Sequence, residues 1–174
     1  MSNISADKIK KLRDKTGAGM MDCKTALIES LGDIEKSVSW LRKKGIANAE
    51  KKLSRTASQG LIGLIKEKNI CTILEVNTET DFVSKNEEFQ AFVSNTLNIA
   101  SKKKYLLESL LVEMYDKDYS IAEALKNLIA KIGENIVIRR ITYLNAETPE
   151  SIFGSYIHNK ISPTLGKIGS LVKI

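Results

Sequence analysis

The sequence predicts an α+β protein. A small N-terminal unit of three helices comes first. An antiparallel sheet with helices packed on one face follows, and the chain ends in an incomplete second hairpin. Three observations predict this. Up to Gly45, apolar residues recur at helical spacing and are punctuated by Gly17, Gly19, Gly32 and Gly45. From Leu61 the period changes to β-rich runs on either side of Lys66-Glu-Lys-Asn69. Later helical stretches lead into another β-rich run, Asn135 to Leu144, which returns the chain to its sheet. The implied units are residues 1–54, 55–145 and 146–174.

Composition narrows the class. The chain has 174 residues, enough for one medium domain or two small ones. Hydrophobic content of 43% with 28% charged residues is that of a soluble globular protein. Its longest apolar runs, such as Ile136-Val-Ile138 and Leu171-Val172, are too short to cross a bilayer. The stretch Met1-Ser-Asn-Ile-Ser-Ala-Asp-Lys8 lacks the pattern of a signal or transit segment, so a cytoplasmic protein without membrane contact is expected. Cys23 and Cys71 lie far apart in apolar surroundings and read as buried thiols. With one histidine and no Cys-x-x-Cys, neither a metal site nor a cofactor is expected.

The net charge of +6, from 27 basic and 21 acidic residues, permits an acidic protein partner or nucleic acid. The basic residues come in short dispersed groups, with few aromatics among them. Direct nucleic-acid binding is therefore not expected, and a basic module associated with nucleic acid or the ribosome is the alternative. No Gly-x-Ser-x-Gly, phosphate-binding glycine loop or informative pair of acids points to an enzyme.

Taken in order, Ile4 to Lys15 reads as an amphipathic helix capped by Ser5, with Ile9 and Leu12 on one side. Thr16-Gly-Ala-Gly19 breaks it. A second helix runs from Met20 to Ser30. Successive helix positions do not share a face, so one of Met20 and Met21 is expected to point outward. Asp33 caps a third helix, Ile34 to Lys44, which Arg42-Lys43-Lys44 before Gly45 should end. Ala47 to Leu53 is expected as a separate helical connector.

The runs Leu61–Ile65 and Ile70–Val76 form a hairpin, and Asn77, Thr78 and Thr80 read as turn residues after it. Ser84-Lys-Asn-Glu87 reads as a capping box opening a helix with Phe89, Phe92, Val93, Leu97 and Ala100 inward. Leu106 to Met114 is a short helical patch. Ser120-Ile-Ala-Glu123 is a second capping box, and Gly133 closes the helix it opens. After a linker with Pro149, Gly154–His158 and Lys167–Ile174 form a hairpin that echoes the first. Gly154 matches Gly60, Ile168 matches Ile70, Val172 matches Leu74 and Ile174 matches Val76. With no helix of its own, this copy needs a shared core, a further segment or a second chain to cover it.

Asp81-Phe82 follows the first hairpin. Turn residues before it place the pair on a tip, where a scaffold commonly carries function. Phe82 also precedes Phe89 by seven residues and could join that helix's buried stripe. Spacing alone leaves both readings open.

Several stretches together resemble the elongation factor Ts family, the nucleotide-exchange factors of the translational GTPase elongation factor Tu. They are Arg13-Asp-Lys-Thr-Gly-Ala-Gly-Met-Met-Asp-Cys-Lys24, Gly32-Asp-Ile-Glu35, Leu41-Arg-Lys-Lys-Gly45, Glu75-Val-Asn77, Thr80-Asp-Phe-Val83, Ala130-Lys-Ile-Gly-Glu-Asn-Ile136 with Arg139-Arg140, and Gly154-Ser-Tyr-Ile-His158. The resemblance implies a ubiquitin-associated-like fold for residues 1–54 and an exchange core after it. It implies elongation factor Tu as the partner, contacted by Arg13, Met20, Met21, Asp81, Phe82, Val83, Ile132, Gly133 and His158. In the family the Asp-Phe pair inserts beside the nucleotide's magnesium site. Longer members carry a second half-core, whereas short ones pair as homodimers. This chain has one half-core and a fraction, so a shortened form deficient in exchange and a self-associating short form are both open.

Overall fold

A computed structural model describes residues 4–67 and 69–174; Met1 to Asn3 of the N-terminal stretch and Lys68 of the first turn lie outside the described residues. Helix α1 spans Ala6–Thr16, with the Ser5 hydroxyl accepting from the Lys8 N–H at 3.3 Å. Its end is Gly17, left-handed at φ 68°, whose N–H reaches the Arg13 carbonyl at 2.7 Å. Helix α2 is Met20–Glu29, and α3 is Ile34–Glu50, capped by Asp33. Leu12, Cys23, Ala26, Leu27 and Leu41 form their shared core, flanked by Ile9, Ile34, Val38 and Trp40.

Helix α3 corrects the expectation that Gly45 ends it, since the connector beyond is the same helix. Gly45 is there for space. A Cβ at this position would lie 2.9 Å from the Ala130 Cβ, so the bare backbone lets α3 cross closely over a later helix, α6 (Ile121–Ile132). Ala49 then enters the core of the following sheet, which joins the helical unit to the rest.

Strands β1 (Gln59–Lys66) and β2 (Ile70–Thr78) pair antiparallel, with Leu61 opposite Val76. Asn77 and Thr78, expected in the turn, belong to the strand because Gly60 and Gln59 continue the ladder opposite them. Strand β3 (Ile136–Asn145) pairs with the other side of β2 through a bulge at Glu75/Val76. Helices α4 (Glu87–Ser101), α5 (Leu107–Val112) and α6 cover one face. Phe89, Leu97, Leu110 and Ile129 meet Leu61, Leu74, Val76 and Ile136 there, all fully buried or nearly so. At roughly 1.5–3 kcal/mol per large side chain, this is the main core.

The capping box at Ser120 and Glu123 forms as expected. The one at Ser84 and Glu87 does not. A single 3₁₀ turn, Val83–Lys85, precedes α4, and Asn86 caps that helix by accepting from the Phe89 N–H at 3.0 Å.

Strands β4 (Phe153–Lys160) and β5 (Leu165–Lys173) form the last hairpin and enter the same sheet, in the order β3-β2-β1-β5-β4. The sequence echo does not keep register. Gly60 faces Asn77, whereas Gly154 faces Val172, the residue matched to Leu74. β5 bonds to β1 only near Ile62–Leu64, then crosses the sheet face that the helices leave open. Gly169 makes that crossing feasible, because a Cβ there would meet Ile62 Cγ2 at 2.5 Å. Phe153, Ile157 and Leu165 are buried, while Ile152, Tyr156, Ile168, Val172 and Ile174 remain exposed on the outer side. A shared core thus covers one face of this hairpin. Among the described residues no helix is long and apolar enough to cross a membrane.

Candidate functional site: an exposed aromatic on a braced tip

The tip begins where β2 runs out of partners. The Thr78 hydroxyl donates to the Thr80 carbonyl at 2.8 Å and turns the chain. Thr80 is then held twice by one carboxylate: its N–H reaches Glu134 Oε2 at 2.9 Å and its hydroxyl reaches Oε1 at 2.6 Å. Charge-assisted bonds of this kind are short and strong. The neighbouring Glu79 accepts from the Asn135 N–H at 2.5 Å and pairs with Arg55 at 3.5 Å. Asn135 in turn donates to the Arg55 carbonyl at 2.7 Å. The segment before β1, the tip and the end of α6 are therefore tied into one polar knot.

Beyond the knot the backbone closes into the 3₁₀ turn, with Ser84 N–H on the Asp81 carbonyl and Lys85 N–H on the Phe82 carbonyl, each at 3.1 Å. Ser84 is buried; its hydroxyl donates to the Gly60 carbonyl at 3.3 Å and accepts from Lys167 at 2.7 Å. Held from below in this way, Phe82 stands 76% exposed, beside an exposed Asp81. A ring of that size would ordinarily be buried. The position gains nothing for the fold, so the core reading of Phe82 is ruled out.

Phe82 forms one wall of a recess of about 380 Å³, shared with Gly17, Val83, Asn86, Lys131 and Ile132. The Lys131–Glu88 pair, at 2.5 Å, crosses its rim. The structure thus brings together Phe82, Val83 and Ile132, with Gly133 next in the chain as the left-handed cap of α6 at φ 89°. Val83 packs mostly inward at 6% exposure and braces the tip, leaving only a small part of its side chain in the recess wall. Met20 and Met21 are 47% and 70% exposed, so both face outward where one was expected. The buried stripe of α2 is Cys23, Ala26 and Leu27, and no core lies beneath its first residues. Arg13 is exposed on α1, one turn before Gly17. His158 is exposed on β4 beside Tyr156, with Nδ1 3.3 Å from the phenol oxygen, and takes no part in the recess.

Glu134 was missed from the sequence. One weak signal existed: a carboxylate directly after a helix's C-terminal glycine has the wrong sign for the helix dipole, a cost of about 1 kcal/mol or less that a donor elsewhere offsets. Among the described residues no group of three or more His, Cys, Asp or Glu side chains is placed to hold a metal ion. The tip presents an exposed ring beside an exposed carboxylate on a hydrogen-bonded support.

A sequence model of the family described as "Elongation factor TS" matches residues 79–174, from the tip to the last hairpin. The Elongation factor Ts of Methylobacterium radiotolerans is 48% identical over 175 residues, covering 100% of this chain and 56% of that protein. Those of Allorhizobium ampelinum and Gluconobacter oxydans are 44% and 43% identical, again over 100% of this chain and 56% and 57% of theirs. The chain therefore spans little more than half the length of these relatives. With its α+β core and the matched tip, the chain belongs to the elongation factor Ts family.

Proposed function

We propose that this chain is a guanine-nucleotide exchange factor, binding elongation factor Tu with GDP and promoting GDP release during translation elongation. The observation that carries this reading is Phe82, a large ring left 76% exposed on a tip that hydrogen bonds hold stiff. A GTPase keeps GDP through Mg²⁺, which demands near-ideal octahedral oxygen coordination, and through donors around the phosphates. A rigid ring pushed between the elements lining that pocket displaces both. Asp81 arrives beside it and repels the phosphate or competes for its donors. Met20, Met21 and Arg13 supply affinity from the neighbouring helices, Ile132 and Gly133 support the recess wall, and His158 offers a separate contact from β4.

No reaction is catalysed in the chemical sense. The factor binds the nucleotide-free GTPase preferentially, so nucleotide must weaken factor binding by the same ratio that factor weakens nucleotide binding. The test is stopped-flow release of a fluorescent GDP from elongation factor Tu. Release should accelerate with the chain's concentration and saturate, and excess unlabelled GDP should dissociate the complex. Release that stays at its spontaneous rate at every concentration would refute the proposal.

A further inference from the structure

The last hairpin departs from regular strand geometry around Lys167. Asn159 on β4 is left-handed at φ 50°, one of two such non-glycine residues among those described. A short polar side chain tolerates that conformation at some cost, so its surroundings must hold it. Gly166, opposite Lys160, has no room for a side chain: a Cβ there would lie 2.3 Å from Ile157 Cγ2 and 2.8 Å from the His158 carbonyl oxygen. The ladder between β1 and β5 also ends here, at the Ile62–Gly166 pair. Lys167 is the next residue. Alternation puts its side chain on the same face of the hairpin as Leu165, which enters the main core, and Gly169, which lies against Ile62.

The Lys167 amine therefore emerges where β5 turns over the edge of β1, and it reaches the buried Ser84 hydroxyl at 2.7 Å. No carboxylate pairs with it among the described residues. A long cationic side chain ordinarily keeps its head in water, whereas this one gives a charge-assisted bond to a group inside the fold. Ser84 sits in the middle of the 3₁₀ turn that follows Phe82. Its hydroxyl also donates to the Gly60 carbonyl, and its own carbonyl accepts from Gln90 Nε2 at 2.9 Å. Gly60 lies hard against β2, since a Cβ there would meet the Val76 carbonyl oxygen at 2.1 Å. We propose that Lys167 is a positioning residue for the tip. The kinked hairpin holds its amine under Ser84, and that bond, across 83 residues of chain, fixes the turn from which the Phe82 ring projects. Its effect on GDP release rests on the exchange function proposed above, whereas its hold on the tip is present in the free chain.

The first test is amide hydrogen exchange in the chain alone, followed residue by residue by NMR. Lys167→Met keeps the stem and removes the donor. It should speed the Ser84 and Lys85 amides, which bond to the Asp81 and Phe82 carbonyls, at least about fivefold, the scale of one lost hydrogen bond. Amides in the middle of the β1–β2 ladder should move less than about twofold. In GDP release from elongation factor Tu, the same variant should lower the maximal rate at least about threefold, with the half-maximal concentration unchanged within about twofold. Lys167→Arg restores a cationic donor on a long stem and should recover most of both losses. Ser84→Ala removes the acceptor, so adding Lys167→Met to it should cost little more. Thermal melts confirm that each variant folds, and Lys167→Gln serves if the methionine variant does not. Unchanged tip amides would overturn the proposal, whatever the melting temperature does. So would a maximal rate that stays intact while those amides speed up, additive losses in the double variant, or no rescue by arginine. Release that stays spontaneous with the native chain would overturn the exchange function alone, because the tip amides decide the role of Lys167 without a GTPase.

Discussion

At the scale of single residues, Phe82 is a ring left largely outside its own fold. Phe82→Ala should leave the melting temperature unchanged within error, because no buried contact is lost. Glu134 behaves oppositely. Removing its carboxylate leaves both Thr80 donors without their partner, so Glu134→Ala should cost about 1–2 kcal/mol in urea unfolding. It should also lower the maximal exchange rate by loosening the tip, with little change in the concentration for half-maximal effect. Loss of stability with the maximal rate intact would show that the brace is structural only. The sequence made the Asp-Phe pair legible through its turn residues, but spacing could not decide whether the ring faced in or out. Nor could it show Glu134 reaching back across more than fifty residues, a contact only the folded chain creates.

At the scale of elements, local signals were read well where they were complete and failed where tertiary packing overrode them. Ser5, Asp33 and the Ser120 box cap their helices as their chemistry dictates. Gly45 looked like a stop because basic residues precede it, yet α3 runs on, since its glycine serves a close crossing with Ala130. A glycine inside a helix normally gains about 1 kcal/mol when replaced by a better helix former. Here Gly45→Leu should instead destabilise by roughly 1–3 kcal/mol through overpacking, seen as a lower urea midpoint. A raised midpoint would mean the helices separate freely. Asn86 displaced Ser84 as cap for a similar reason: Ser84 is drawn under the tip by Gly60 and Lys167.

At the scale of the whole molecule, the last hairpin is stitched to the rest by burial more than by its few ladder bonds to β1. Alternation showed a second hairpin but not its register, because a match of residue types does not fix which partners face each other. Its crossing has a measurable consequence. Cys71 lies opposite Lys66, whose amine reaches the Phe153 carbonyl at 2.8 Å, which places the hairpin's first strand at this corner. Burial pushes the Cys71 and Cys23 thiols above their ordinary 9.0. The native state therefore holds protons that the unfolded chain releases near that value, and this contribution to stability, full below about pH 9, fades as pH rises. Both thiols should react slowly with a disulfide reagent. Phe153→Ala should speed Cys71 several-fold, about the effect of 1 kcal/mol on local opening, and leave Cys23 alone. Equal acceleration of both would indicate global unfolding. Insertion of Phe82 into another molecule's nucleotide site is the proposed action. Its most direct test is the rate of GDP release from elongation factor Tu at saturating concentrations of the native chain and of Phe82→Ala. Loss of a central aromatic anchor worth roughly 2 kcal/mol should cut the maximal rate about thirtyfold while the variant still binds. A variant that drives release as fast as the native chain would contradict the account.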